Sequence, residues 1–109
     1  GSNSVVYRVD ANTGATGAIG TGFSPGLAGG SFGADVNPVP DALRITGDSG
    51  QNFRIAFATG NHGAGSPDGA LNPGAPNVVA SAYTNSELSA TRPASTTLYA
   101  IDAATNRLL

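Results

Sequence analysis

The chain has 109 residues, a net charge of -2 and only 11% charged side chains, under half of the ~25% usual in globular domains. Cysteine, methionine, tryptophan and lysine are absent, while glycine (16) and proline (7) are abundant. This composition excludes a disulfide or cysteine–metal scaffold, a helical bundle and a nucleic-acid binder that works by neutralising phosphates, and no apolar run reaches the ~18 residues of a membrane-spanning helix.

Gly1-Ser2-Asn3-Ser4 has neither a charged start nor an apolar stretch, so the opening does not read as a signal peptide. From there the apolar residues recur every second position, the period of a strand, and never hold a helical spacing. Strands are expected over Val5–Asp10, Ala15–Gly20, Phe32–Asn37, Leu43–Gly47, Asn52–Ala58, Val78–Thr84, Thr97–Asp102 and Arg107–Leu109. The stretches between them carry turn chemistry. Asp10-Ala-Asn-Thr-Gly14 offers Asx side chains that bond back to their own backbone, followed by a glycine. The prolines of Asn37-Pro-Val-Pro-Asp41 remove donors and forbid a helix, and Gly47-Asp-Ser-Gly50 is a tight turn. One all-β domain over residues 1–109 follows: a first hairpin (1–22), a three-stranded antiparallel meander (32–58), a long loop (59–77), and a strand with a closing hairpin (78–109).

The loop of residues 59–77 holds five glycines and three prolines and has Leu71 as its one large apolar side chain. Such a loop has too little apolar surface to fold locally. It is expected to be mobile alone and ordered only against a neighbouring subunit, with Leu71 buried at that contact. Residues 85–96 form a second polar connection.

One internal repeat is clear. Val6-Tyr-Arg-Val-Asp-Ala-Asn-Thr-Gly14 matches Leu98-Tyr-Ala-Ile-Asp-Ala-Ala-Thr-Asn106 at an offset of 92 residues. Each copy is an apolar-Tyr-x-apolar-Asp strand running into a hairpin turn, the grammar of a blade in a β array.

Motifs with chemical potential read more simply as turns. Gly47-Asp-Ser-Gly50 and Gly29-Gly-Ser-Phe-Gly33 look like nucleophile turns around Ser49 and Ser31. Each needs a histidine base, and the sole histidine, His62, lies in the glycine-rich loop with no packing expected to fix its ring. No catalytic residue is therefore assigned, and the chain is expected not to be an enzyme. Asp10-x-Asn12-x-Gly14 begins like a calcium loop, but the position of the bidentate carboxylate is Thr21. Asp48, Asn52 and Asp68 are the remaining calcium candidates, should the fold bring them together. No cofactor is expected. Tyr7, Tyr83 and Tyr99 offer stacking faces to a glycan, although at alternating strand positions such residues are more often half-buried in the sheet.

The segment Phe32-Gly-Ala-Asp-Val-Asn-Pro-Val-Pro-Asp-Ala-Leu-Arg-Ile-Thr-Gly-Asp-Ser-Gly-Gln-Asn-Phe-Arg54 resembles the signature stretch of the bacterial domain of unknown function 4394 family. Asp68-Gly-Ala-Leu71, Pro76-Asn-Val-Val-Ala-Ser-Ala-Tyr-Thr-Asn85 and Thr97-Leu-Tyr-Ala-Ile-Asp102 extend the likeness from about Val5 to Leu109. The family's domain is longer, so the chain resembles its middle portion. The resemblance implies antiparallel hairpin sheets like propeller blades, with long Gly/Pro-rich loops, in a secreted or surface protein of a bacterium. It implies no catalytic residue.

Twenty-five large apolar side chains make a thin core for 109 residues, and the first and last hairpins leave open strand edges. The expected partner is another copy of the chain, joined by strand addition into an oligomer or filament through Val6, Tyr7, Leu71, Leu98, Tyr99 and Leu108. The function expected is a non-enzymatic structural or adhesive module. The alternative is a fragment of a larger β-propeller that binds a glycan or calcium.

Overall fold

Apolar residues at every second position can turn one side to a core and the other to water only when the backbone is extended. The computed structural model, which describes residues 3–87 and 90–109, shows that alternation of burial most clearly in Asn52–Ala56 and Leu98–Asp102. Gly1 and Ser2 of the opening, and Leu88 and Ser89 of the second polar connection, lie outside the described residues. Among the described residues there is no helix; the fold is all-β.

Nine strands form three antiparallel sheets among the described residues: β1 (Val6–Val9) with β2 (Thr16–Ile19); β3 (Phe32–Asn37), β4 (Ala42–Gly47), β5 (Asn52–Ala56) and β6 (Asn61–His62); and β7 (Val78–Tyr83), β8 (Leu98–Asp102) and β9 (Arg107–Leu108). The expected meander is present and gains a fourth strand, β6, inside the segment read as a structureless loop. The third strand stops at Ala56 and not at Ala58. The Ala56 carbonyl accepts the N–H groups of Thr59 and Gly60, and Gly60 takes φ +64° to turn the chain back.

Beyond β6 the chain lies along the outer edge of β5. Gly63 N–H donates to Arg54 O, Asp68 N–H to Asn52 O and Leu71 N–H to Gly50 O, while Ser66 Oγ accepts the Arg54 N–H. The expectation that this segment is a structureless loop ordered only against a neighbouring subunit is thereby corrected. It is tied by polar backbone groups of the neighbouring strand, which no count of apolar residues measures.

Register sorts the middle sheet into two unlike faces. Ala34 stands opposite Ile45, Leu43 opposite Ile55, and Ile45 opposite Phe53 on one face. Phe23, Ile45, Phe53 and Ile55 form the core there, with Val6, Leu27, Phe32 and Leu43 packed against it. The other face carries Gly33, Asp35, Arg44, Thr46 and Arg54, and β7 lies across it. Tyr83 N–H donates to Asp35 (2.7 Å) and Thr46 Oγ1 bonds Ser81 Oγ (3.0 Å). Gly33 makes this approach possible: a Cβ there would collide with the Ser81 nitrogen and stand 2.6 Å from the Ala80 carbonyl carbon.

Candidate functional site

Three places gather candidate functional side chains, and the first is the polar face of the middle sheet. The β4–β5 register sets Arg44 directly opposite Arg54, a like-charge pairing that destabilises a sheet unless an anion intervenes. Asp68 intervenes. Its carboxylate pairs with Arg44 Nη1 and with Arg54, whose Nη2 lies 2.7 Å from Oδ1 and whose Nε lies 2.9 Å from Oδ2. Arg44 also donates to Asn52 Oδ1 (2.7 Å) and the Tyr83 hydroxyl (3.1 Å). Burial pushes Asp68 up, but hydrogen bonds and charge from Arg54 and Arg44 outweigh it and hold the carboxyl below its usual range. The cluster joins β4, β5, β7 and the 63–71 segment.

The calcium candidates are divided by these contacts. Asn52 and Asp68 meet at Arg44, whereas Asp48 sits in the β4–β5 turn and accepts the N–H groups of Gly30 and Ser31. Among the described residues no group of three or more histidine, cysteine or carboxylate side chains is placed to hold a metal.

The second place is around His62. Its ring meets Phe53 (centroids 4.7 Å apart) and Phe23 (5.5 Å), both edge to face, so the expectation of an unpacked ring is corrected. Nε2 lies 3.0 Å from the Pro25 carbonyl, which can only accept, so Nε2 carries the proton. In the neutral ring Nδ1 then accepts from the Ser66 hydroxyl at 3.0 Å. The serine beside His62 is Ser66; Ser49 donates instead to the Ala28 carbonyl (2.6 Å), and Ser31 is held by Asp48. Sequence spacing missed this niche because Phe23 and Phe53 are remote in the chain, although the i, i+4 pair His62 and Ser66 was visible.

The third place is the pair of matching hairpins. Asp10 accepts the N–H groups of Asn12 and Thr13, and these bonds lower its pKa. Asp102 is lowered chiefly by the Thr105 hydroxyl (2.5 Å), against burial, and then by the N–H groups of Ala104 and Asn77. The two aspartates do the same local work: each closes its hairpin turn.

The residues expected to mediate association divide by exposure. Tyr7 (45%), Tyr99 (44%) and Leu108 (69%) are exposed, together with Val9 and Ile101. Val6 is half-buried against the core and Leu98 is half-buried in β8. Leu71 is half-buried where its N–H reaches Gly50 within the same chain. Between β1 and the apolar face of the middle sheet runs an open groove of about 590 Å3, lined by Val5, Val6, Tyr7, Phe32, Leu43 and Ile45 among others. Outside the last sheet Ala80, Ala82, Tyr99, Ile101 and Leu108 line a second, smaller apolar surface.

The family described as Domain of unknown function (DUF4394) matches residues 1–109, the whole chain. No curated protein and no solved structure matches the chain.

Proposed function

The chain belongs to the DUF4394 family over its whole length, and we propose that this member works as a non-enzymatic structural or adhesive β-module. In this reading it is secreted or held at a bacterial surface and associates with copies of itself by strand addition, extending into oligomers or filaments. The observation that carries the reading is the matching pair of hairpins. Each leaves apolar side chains in water, Tyr7 and Val9 on one and Tyr99, Ile101 and Leu108 on the other. These side chains stand beside the open edges of β1 and β9, and exposed apolar surface at an open edge is where strands add. Sedimentation velocity and negative-stain microscopy at micromolar concentration are expected to show assemblies whose size grows with concentration. A stable, monodisperse monomer overturns the proposal.

The groove beside β1 and the face-to-face packing of β7 on β3 favour a second reading, a ligand-binding part of a larger propeller-like protein. Its ligand would be a glycan stacked on tyrosine or a calcium ion. Thermal melting with calcium and with soluble oligosaccharides tests it: no rise in Tm with either removes it.

A further inference from the structure

We infer that the free edge of β1 is an acceptor for an extended segment of β7's chemistry: uncharged, with three successive small residues followed by a tyrosine. The inference rests on the strand-addition reading and adds the edge, direction and register. It comes from comparing the two hairpins residue by residue. The 92-residue offset sets Val6 on Leu98, Tyr7 on Tyr99, Arg8 on Ala100, Val9 on Ile101 and Asp10 on Asp102. β8 has partners on both sides, β9 and β7, whereas among the described residues β1 pairs with β2 alone.

The hydrogen-bonding phase of the two copies agrees. Ala100 exchanges backbone bonds with Leu109 on the β9 side, so Tyr99 and Ile101 direct theirs to β7. In the first hairpin Asp10 N–H bonds Ala15 O on the β2 side. Asp10, Arg8 and Val6 therefore face β2, and the N–H and C=O groups of Tyr7 and Val9 point to the open edge. The start of β7 is also fixed to its hairpin: Asn77 N–H donates to Asp102, and Ala103 N–H donates to Asn77 O. Among the described residues, Asp10 and Ala11, their counterparts, hold no such third segment.

Space and register follow. The open edge borders the apolar groove of about 590 Å3, within the ~300–1,000 Å3 range of sites that bind ligands. β7 pairs with β8 as Tyr83 on Leu98, Ala82 on Tyr99, Ser81 on Ala100 and Ala80 on Ile101. Carried across the repeat, the incoming strand runs antiparallel to β1. It places a tyrosine-like residue on Val6 and small residues on Tyr7, Arg8 and Val9.

The test uses the whole chain and a synthetic peptide of Asn77–Asn85, followed by NMR. Saturable shifts are expected at the Tyr7 and Val9 amides. N-methylation of the peptide at Ala80 and Ala82, whose N–H groups face the accepting strand, is expected to weaken binding roughly tenfold or more. Methylation at Ser81 and Tyr83, which face away, leaves it within about twofold. Absence of saturable shifts, equal loss from both methylation patterns, or shifts at β9 overturns the assignment. Sedimentation of the same sample separates the two proposals: a monomer that still binds the peptide refutes self-association alone, and an assembling chain that ignores it refutes this acceptor edge alone.

Discussion

Asp68 balances two arginines with one carboxylate, and removing its charge leaves Arg44 and Arg54 facing each other across β4 and β5. Asp68→Asn is therefore expected to cost about 1–3 kcal/mol in urea unfolding near neutral pH. The acid response carries the same signature. A carboxyl whose folded pKa lies below its unfolded value stabilises fully above the ordinary value of ~4 and loses that contribution as pH falls through the folded value. The urea midpoint of the wild type should thus fall between about pH 6 and pH 3 by more than that of D68N. An equal fall in both proteins would show that Asp68 is not the group responsible. The need for such an anion depends on register: Gly47 N–H bonds Gln51 O around a three-residue loop and sets Arg44 opposite Arg54, whereas the tighter Gly47–Gly50 turn read from the sequence sets Arg44 opposite Phe53. That Asp68 supplies it was not legible, because a loop of glycine and proline gives no period from which to place its side chains. His62 failed for a related reason, since its ring is fixed by Phe23 and Phe53 and not by its neighbours in sequence.

At the scale of elements, alternation and turn chemistry placed β1 to β5 and β7 to β9 to within a residue or two, since period 2 and Asx or Gly turns are local properties. β6 escaped because two residues, Asn61 and His62, carry no alternation; the Ala56–Gly60 turn creates it. The same limit hid the run of the chain along β5. Hydrogen exchange gives that run a measurable form. The amides of Gly63, Asp68 and Leu71, each bonded to a strand or turn carbonyl, should exchange at least about tenfold slower than the exposed Gly69 and Ala70. Uniformly fast exchange from 63 to 71 would contradict the docking. The contact of β7 with β3 turns on one residue. Gly33→Ala puts a methyl group against rigid backbone at Ser81 and Ala80, and it should destabilise by about 1–3 kcal/mol despite alanine's better strand propensity. A neutral or stabilising result in thermal melting would show that β7 can move away from the middle sheet.

Across the whole molecule, the Cα radius of gyration is 14.1 Å, slightly above the ~13 Å expected of a compact chain of this length. The excess suits the groove left open between β1 and the middle sheet. The last sheet is joined to what precedes it through Gly33 against Ser81, Asp35 with Tyr83 and Arg44 with Tyr83. The peptide link between the two parts runs through Asn72, Pro73, Gly74 and Ala75, all exposed. A connection that carries so little of the union is dispensable to it. Residues 1–72 and 75–109, produced as separate polypeptides, should find each other and restore the amide pattern of the intact protein, and failure of the mixed pieces to combine would show that covalent continuity is required. The exposed 72–75 link would then be a place where a gene could be divided, or a foreign domain inserted, with the two parts reassembling through the β3–β7 seam.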